Sequence, residues 1–236
     1  MTAAAPRSDP GAVLLDIAGT LTARAYLEST VICYARQRLP RFVAEHAGEA
    51  MLSYLLSLVQ ARAATGQDPV TLLLRWLDED REVGLLQDVL GLIWDEVCGE
   101  ASLQGHIYPD AFDALRRWRA AGVARHVFAA GSAHWQAQFF RDCPQGDVSR
   151  LLGRHFDLAV GARTQAASYQ AIAAMLKLPP ARLCFYSDTP AALAAARSAG
   201  LQAVQLVRDG AASDPGFPQI GSFDEVANQP IAYAAH

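Results

Sequence analysis

The stretch AVLLDIAGTLT, residues 12–22, decides the fold. Its first four residues are all apolar, the pattern of a parallel strand covered on both faces. The run stops at Asp16, and Gly19 marks a turn directly beyond it. Ligands of parallel sheets gather beyond the carboxyl ends of the strands, so a carboxylate there stands where chemistry is done. Two residues on, where a second acid would complete an acid–base pair, the chain has Ala18.

Working outward, residues 26–98 contain no strand pattern. Apolar clusters alternate with charges at helical spacing, as in FVAEHAGEAMLSYLLSLVQARA (42–63) and LQDVLGLIWDEV (86–97), and ATGQDPVT (64–71) separates them with turn residues. This predicts an all-helical insert over residues 24–100. Beyond it the pattern alternates. Helices are predicted at 111–121, 133–141, 168–176 and 190–200, the last closed by Gly200. Strands are predicted in RHVFAA (125–130), FDLAVG (156–161), RLCFYSD (182–188) and QAVQLVR (202–208). Strands alternating with helices predict an α/β fold: a doubly wound parallel sheet built from residues 1–23 and 101–236. Asp16, Gly131, Arg163 and Asp188 then lie at or just past strand ends and can converge.

Composition narrows the function classes. The chain has 236 residues and a formal charge of -4, with no basic run, which argues against nucleic acid as a partner. No stretch reaches the roughly 20 apolar residues of a membrane span. The leader MTAAAPRSDPG (1–11) lacks the apolar core of a signal peptide and reads as frayed. The four cysteines, Cys33, Cys98, Cys143 and Cys184, form no CxxC pair, so reduced thiols in the cytoplasm are expected. Lys177 is the single lysine among 20 Lys and Arg.

The Asp16-Ile-x-Gly19-Thr20 loop, the helical insert after it and a lone Asp188 at a later strand end resemble the haloacid dehalogenase (HAD) superfamily with a C1 cap. Within it, the chain is similar to the bacterial enolase-phosphatases of methionine salvage. That resemblance also rests on YARQRLPRFVAEHAGE (34–49), DEDRE (78–82), GHIYPDAFDALRRW (105–118), HFD (155–157) and SYQAIA (168–173). It implies a Rossmann-like core, a small-molecule substrate and a monomer or homodimer. It also implies that Asp16 attacks phosphorus, with Mg2+ held by Asp16, the Ala18 carbonyl and Asp188. Gly19 and Thr20 would shape the anion loop with backbone N–H groups facing the ligand, and Gly131 and Ser132 would follow the second motif. Taken singly, Asp16 also fits a turn cap, and Asp188 an N-cap before Pro190.

The same resemblance exposes departures. The superfamily places an acid where this chain has Ala18, a hydroxyl at Ala130, a lysine at Arg163 and an acid at Ala192. The enolase-phosphatase pattern has lysines at Glu82 and Gln87. Arginine at 163 still suits phosphate or carboxylate, bidentately where lysine offers a point charge. General acid–base catalysis is worth roughly 10²- to 10⁴-fold, and alanine supplies none. His134 is the candidate replacement base. Tyr26, Glu28, Trp76, Arg81 and Trp94 are candidate cleft residues of the insert, and His46 and His106 read as structural. An Asp-x-Ala-Gly-Thr loop with a third-motif arginine also resembles phosphonoacetaldehyde hydrolases. Those use a cap lysine as an imine former, and this insert has no lysine.

Three readings follow. The first is a Mg2+-dependent hydrolase using an aspartate nucleophile on a small phosphorylated or otherwise activated metabolite, whose leaving group needs no acid at position 18. The second is a repurposed enzyme carrying out proton transfer or enolisation in a specialised biosynthetic pathway. The third is a non-catalytic pseudo-phosphatase. Dehalogenation is a minor fourth.

Overall fold

A computed structural model describes residues 11–97 and 104–226. The leader (except Gly11), Cys98 and the predicted boundary of the insert near residue 100 lie outside the described residues.

Six parallel strands form one sheet in the order β3-β2-β1-β4-β5-β6. They are β1 Ala12–Leu15, β2 Ala124–Phe128, β3 His155–Phe156, β4 Leu183–Ser187, β5 Gln202–Leu206 and β6 Gln219–Ile220. The chain runs outward from β1 through β2 to β3, then returns to the other side of β1 and runs outward again. The reversal falls between β1 and β4, the kind of switch point where doubly wound sheets bind ligands.

β1 is apolar throughout because both of its faces are covered. Val13 and Leu15 join one core that continues through Trp118 into the helices after β1, whereas Ala12 and Leu14 join the other, with Phe185, Tyr169 and Leu193. Helices α6 (Pro109–Ala120) and α7 (Ala133–Arg141) follow the helical block and β2, and α8 (Ala166–Leu176) and α9 (Pro190–Ser198) follow β3 and β4. Proline at the first turn starts α6 and α9, where its missing N–H is no loss. Gly200, at φ +90°, ends the α9 region as the sequence predicts.

Between β1 and α6 the described residues form helices and connecting loops and no strand. α1 (Arg24–Tyr26) runs through a π-helical stretch, Leu27–Ile32, into α2 (Cys33–His46), followed by α3 (Ala50–Gln60), α4 (Pro69–Asp78) and α5 (Gly84–Val97). Asp68 starts α4 by accepting from Thr71 N at 2.9 Å, so the turn signal in 64–71 is an N-cap followed by Pro69. None of the described helices is long and apolar enough to cross a membrane.

Two expectations change. The strand predicted over 156–161 stops at Phe156. Asp157 turns the chain by accepting from Ala159 N at 2.9 Å and Ala133 N at 2.8 Å, and Gly161 then takes φ +134°. The edge strand β6 is absent from the sequence reading, because two residues carry no alternation.

Candidate active site

Asp16 follows β1 and is 1% exposed. Leu15 pairs with Tyr186, so the next residue of each strand, Asp16 and Ser187, meet across the ladder. Ser187 Oγ donates to Asp16 Oδ2 at 2.6 Å, and Ile17 N donates to Oδ1 at 2.7 Å. Arg163 Nη2 also donates to Oδ2. Burial pushes the Asp16 carboxyl above its usual range, against the pull of Arg163 and the two hydrogen bonds.

Arg163 lies in the loop after β3. That loop is tied to α8: Tyr169 Oη donates to Arg163 O at 2.8 Å and Ser168 Oγ to Ala162 O at 2.7 Å. The guanidinium thus reaches Asp16 on a fixed backbone. Its other arm, Nη1, donates to Glu82 Oε1 at 2.5 Å, and the two carboxylates hold Arg163 well above its ordinary pKa. Arg163 therefore bridges the end of β1 and the loop before α5.

Asp188 follows β4 and lies against the Gly19 turn. Gly19 has φ +64°, and a Cβ there would fall 2.0 Å from Asp188 Oδ2, so both the turn and the close approach demand glycine. Asp188 Oδ2 accepts from Arg24 Nη2 at 2.9 Å, and Oδ1 from Thr189 Oγ1 at 2.9 Å. The N-cap of α9 is Thr189 and not Asp188. Arg24 opens α1 and also stands 3.9 Å from Asp80 Oδ2.

Asp16, Arg163, Arg24 and Thr189 edge a cleft of about 460 Å³; Asp188 stands behind Arg24 and is not part of the lining. Its floor holds Asp16, Ala18, Ala129, Ala130, Gly131 and Arg163, and one wall carries Arg24, Asp80, Arg81 and Glu82. Most of the remainder is apolar, with Val31, Leu90, Trp94 and Trp135, interrupted by Glu28, Gln87 and Thr189. The π-helical stretch gives four of its six residues, Leu27, Glu28, Val31 and Ile32, to this lining. π-turns inside helices are frequent at functional sites.

The sequence-predicted residues divide accordingly. Asp16, Ala18, Gly131 and Arg163 line the cleft, as do Glu28, Arg81, Trp94, Glu82 and Gln87 from the insert. His134 does not. Helix α7 turns it outward onto Asp95, at 2.8 Å, with 61% of its side chain exposed. Ser132 caps α7 by accepting from Trp135 N at 3.2 Å, and it borders a separate hollow of about 150 Å³ beside Asp88 and Asp157. The expected anion loop is also different. Gly19 N donates to Thr22 O and Thr20 N to Ile17 O, so these N–H groups close the turn and do not face the cleft. Thr20 is fully buried, and its Oγ1 has no partner among the described residues. Tyr26 donates to Gln104 O at 2.5 Å and stacks on His106, while Trp76 is core. His106 meets Thr22 Oγ1 at 2.5 Å and His46 meets Glu49 at 2.7 Å.

Sequence reasoning missed Ser187 and Arg24. Ser187 carries a signal, a hydroxyl ending an otherwise apolar strand just before Asp188. Arg24 carries none, since nothing local says that α1 aims it at a residue 164 positions away.

The family model for haloacid dehalogenase-like hydrolases matches residues 10–200, from before β1 to the end of α9. The chain belongs to the haloacid dehalogenase-like hydrolases. The chain is 41% identical over 218 residues to an enolase-phosphatase E1 of Bradyrhizobium sp., covering 92% of this chain and 94% of that one. A second enolase-phosphatase E1, from Methylococcus capsulatus, is 39% identical over 222 residues, 91% of this chain and 96% of its own. The crystal structure of the yeast UTR4 protein superposes with a TM-score of 0.71 at 22% identity, covering 92% of this chain and all of that one, and shares the fold. The chain is thus a HAD-like hydrolase similar to these enolase-phosphatases, with Ala18 and Arg163 lining its cleft.

Proposed function

We propose that this HAD-like hydrolase cleaves a small phosphorylated metabolite in the cytoplasm, with Asp16 as the nucleophile, and that the leaving group departs without a proton from position 18. One observation carries the reading: Asp16 is held at the floor of the cleft by Ser187 and Arg163, while its neighbour on the same floor is Ala18. The likeness to two enolase-phosphatases E1 supports a phosphorylated substrate. We take the helical block over 24–100 as the cap, because its residues supply the apolar side of the cleft.

In this reading Asp16 Oδ attacks phosphorus, the bond to the leaving oxygen breaks, and a phosphoryl group rests on Asp16. Arg163 already touches Asp16 and meets a phosphoryl oxygen with the same guanidinium. Water then attacks phosphorus and restores the carboxylate. No side chain at 18 protonates the leaving oxygen, so the leaving group must be stable as an anion, as an enolate is.

The donor set suits magnesium: Asp16, Asp188 and the Ala18 carbonyl are all hard oxygen ligands at neighbouring strand ends. When bound there, the ion would neutralise charge on the transferred group. Arg24 already sits on Asp188 Oδ2, so a bound cation would compete with the guanidinium for that carboxylate. Such partly exposed pairs are worth roughly 0.2–1 kcal/mol, or somewhat more when half-buried. Arg24→Gln is therefore expected to tighten Mg2+ binding by about 3- to 10-fold in titration calorimetry. Weaker binding in the variant would mean that Arg24 supports the metal.

Leaving-group dependence tests the reading as a whole. With Mg2+, p-nitrophenyl phosphate is expected to turn over at least about 10²-fold faster than glycerol phosphate, the span that a missing general acid allows. Equal rates would contradict it.

A further inference from the structure

Water attack on a phosphoryl-Asp16 requires a base, and Ala18 offers none. His134, the obvious substitute by sequence, is turned away onto Asp95. Among the described residues four carboxylates line the cleft: Asp16, Glu28, Asp80 and Glu82. Asp16 is spent as the nucleophile. Asp80 is 94% exposed at its side chain and leans on Arg24, and Glu28 is exposed on the π-helical stretch. Glu82 is different. Its Oε1 accepts from Arg163 Nη1 at 2.5 Å, while Nη2 of the same guanidinium holds Asp16 Oδ2. One guanidinium therefore bridges the two carboxylates at the cleft. Glu82 side-chain exposure is 37%, so a water reaches it and a proton can leave from it.

We propose that Glu82, delivered by the helical block, is the general base that activates water in the second half of the reaction. The inference rests on the proposed aspartate-nucleophile function. Arg163 fixes one oxygen of Glu82 and leaves the other free to accept a hydrogen bond from water. The water oxygen forms a bond to phosphorus, and one of its protons passes to Glu82. The bond from phosphorus to Asp16 Oδ breaks and its electron pair returns to the Asp16 carboxylate. Inorganic phosphate leaves, and Glu82 gives its proton to solvent. The first half needs no part of this, because the leaving group departs as an anion.

Glu82→Gln separates base from scaffold. Glutamine keeps an acceptor for Arg163 Nη1 and so keeps the guanidinium in place, but it takes no proton. The experiment is rapid-mix hydrolysis of p-nitrophenyl phosphate with Mg2+ by wild type, Glu82→Gln and Asp16→Asn. For Glu82→Gln the expected record is a burst of one equivalent of nitrophenolate at the wild-type rate, then a steady state slower by roughly 10²-fold. The phosphorylated protein should accumulate during it. An unchanged steady state overturns the proposal, and so does a burst slowed as much as the steady state, which would make Glu82 a support for Arg163. If wild type releases no nitrophenolate, or Asp16→Asn releases it as fast, the aspartate-nucleophile reading itself has failed and the base falls with it.

Discussion

Asp16→Asn is expected to lower kcat on p-nitrophenyl phosphate by at least roughly three orders of magnitude, the scale seen when a nucleophile is removed. Asparagine fills the same space; its one carbonyl oxygen still accepts from Ile17 N, and its amide can donate to Ser187 Oγ, so the fold should persist. It does leave Arg163 with Glu82 as its one remaining carboxylate partner. A stability loss of about 1–3 kcal/mol follows from that lost charge-assisted bond. Kinetics and a thermal melt on the same sample check both halves. A variant that melts normally and turns over normally would remove Asp16 from the chemistry.

Arg163→Met is expected to have the largest effect on stability. The guanidinium is 8% exposed at its side chain and is the cation bonded to Asp16, which is itself 1% exposed. Removing one member of a buried pair costs about 3–5 kcal/mol, because the survivor is left charged and dry. Asp16 can escape by taking a proton, since burial already pushes its pKa up. That gives the loss a pH dependence of definite sign. With the folded-state pKa above the unfolded value, the folded state holds a proton that the unfolded state releases. Stability of the variant is then fullest below the unfolded carboxylate pKa, about 3.9, and falls as pH rises towards the raised folded value. Denaturant melts should therefore show a smaller gap from wild type at pH 5 than at pH 8. A gap that widens on acidification would show that Asp16 is not the group left unpaired. Activity should fall as well, because no other cation bonded to Asp16 is present among the described residues.

The outline of this fold was legible because its central strands are buried on both faces. A run such as Val13 to Leu15 admits few other readings, and the carboxylates that end β1 and β4 mark the switch point. β3 and β6 were not legible at their true lengths. One is cut short by the Asp157 turn, and the other has two residues. Within the site, Asp16, Gly131 and Arg163 could be placed from strand ends alone. The rest depended on orientation, which sequence spacing conceals. His134 is three residues from Gly131, yet α7 points it at Asp95. Arg24 reaches Asp188 because α1 starts beside the Gly19 turn, a matter of packing. Glu82 first stood out as an acid where the resemblance to enolase-phosphatases implies a lysine. Its contact with Arg163 gives that departure a physical meaning, since an acid there can pair with the arginine that replaces the third-motif lysine.

The most direct measurement is the mass of the Asp16 peptide after rapid acid quench of the protein turning over p-nitrophenyl phosphate with Mg2+. One added phosphoryl group on Asp16 is expected in wild type, absent in Asp16→Asn and enriched in Glu82→Gln. Turnover with no phosphoryl group on Asp16 in wild type or in Glu82→Gln would contradict Asp16 as the nucleophile.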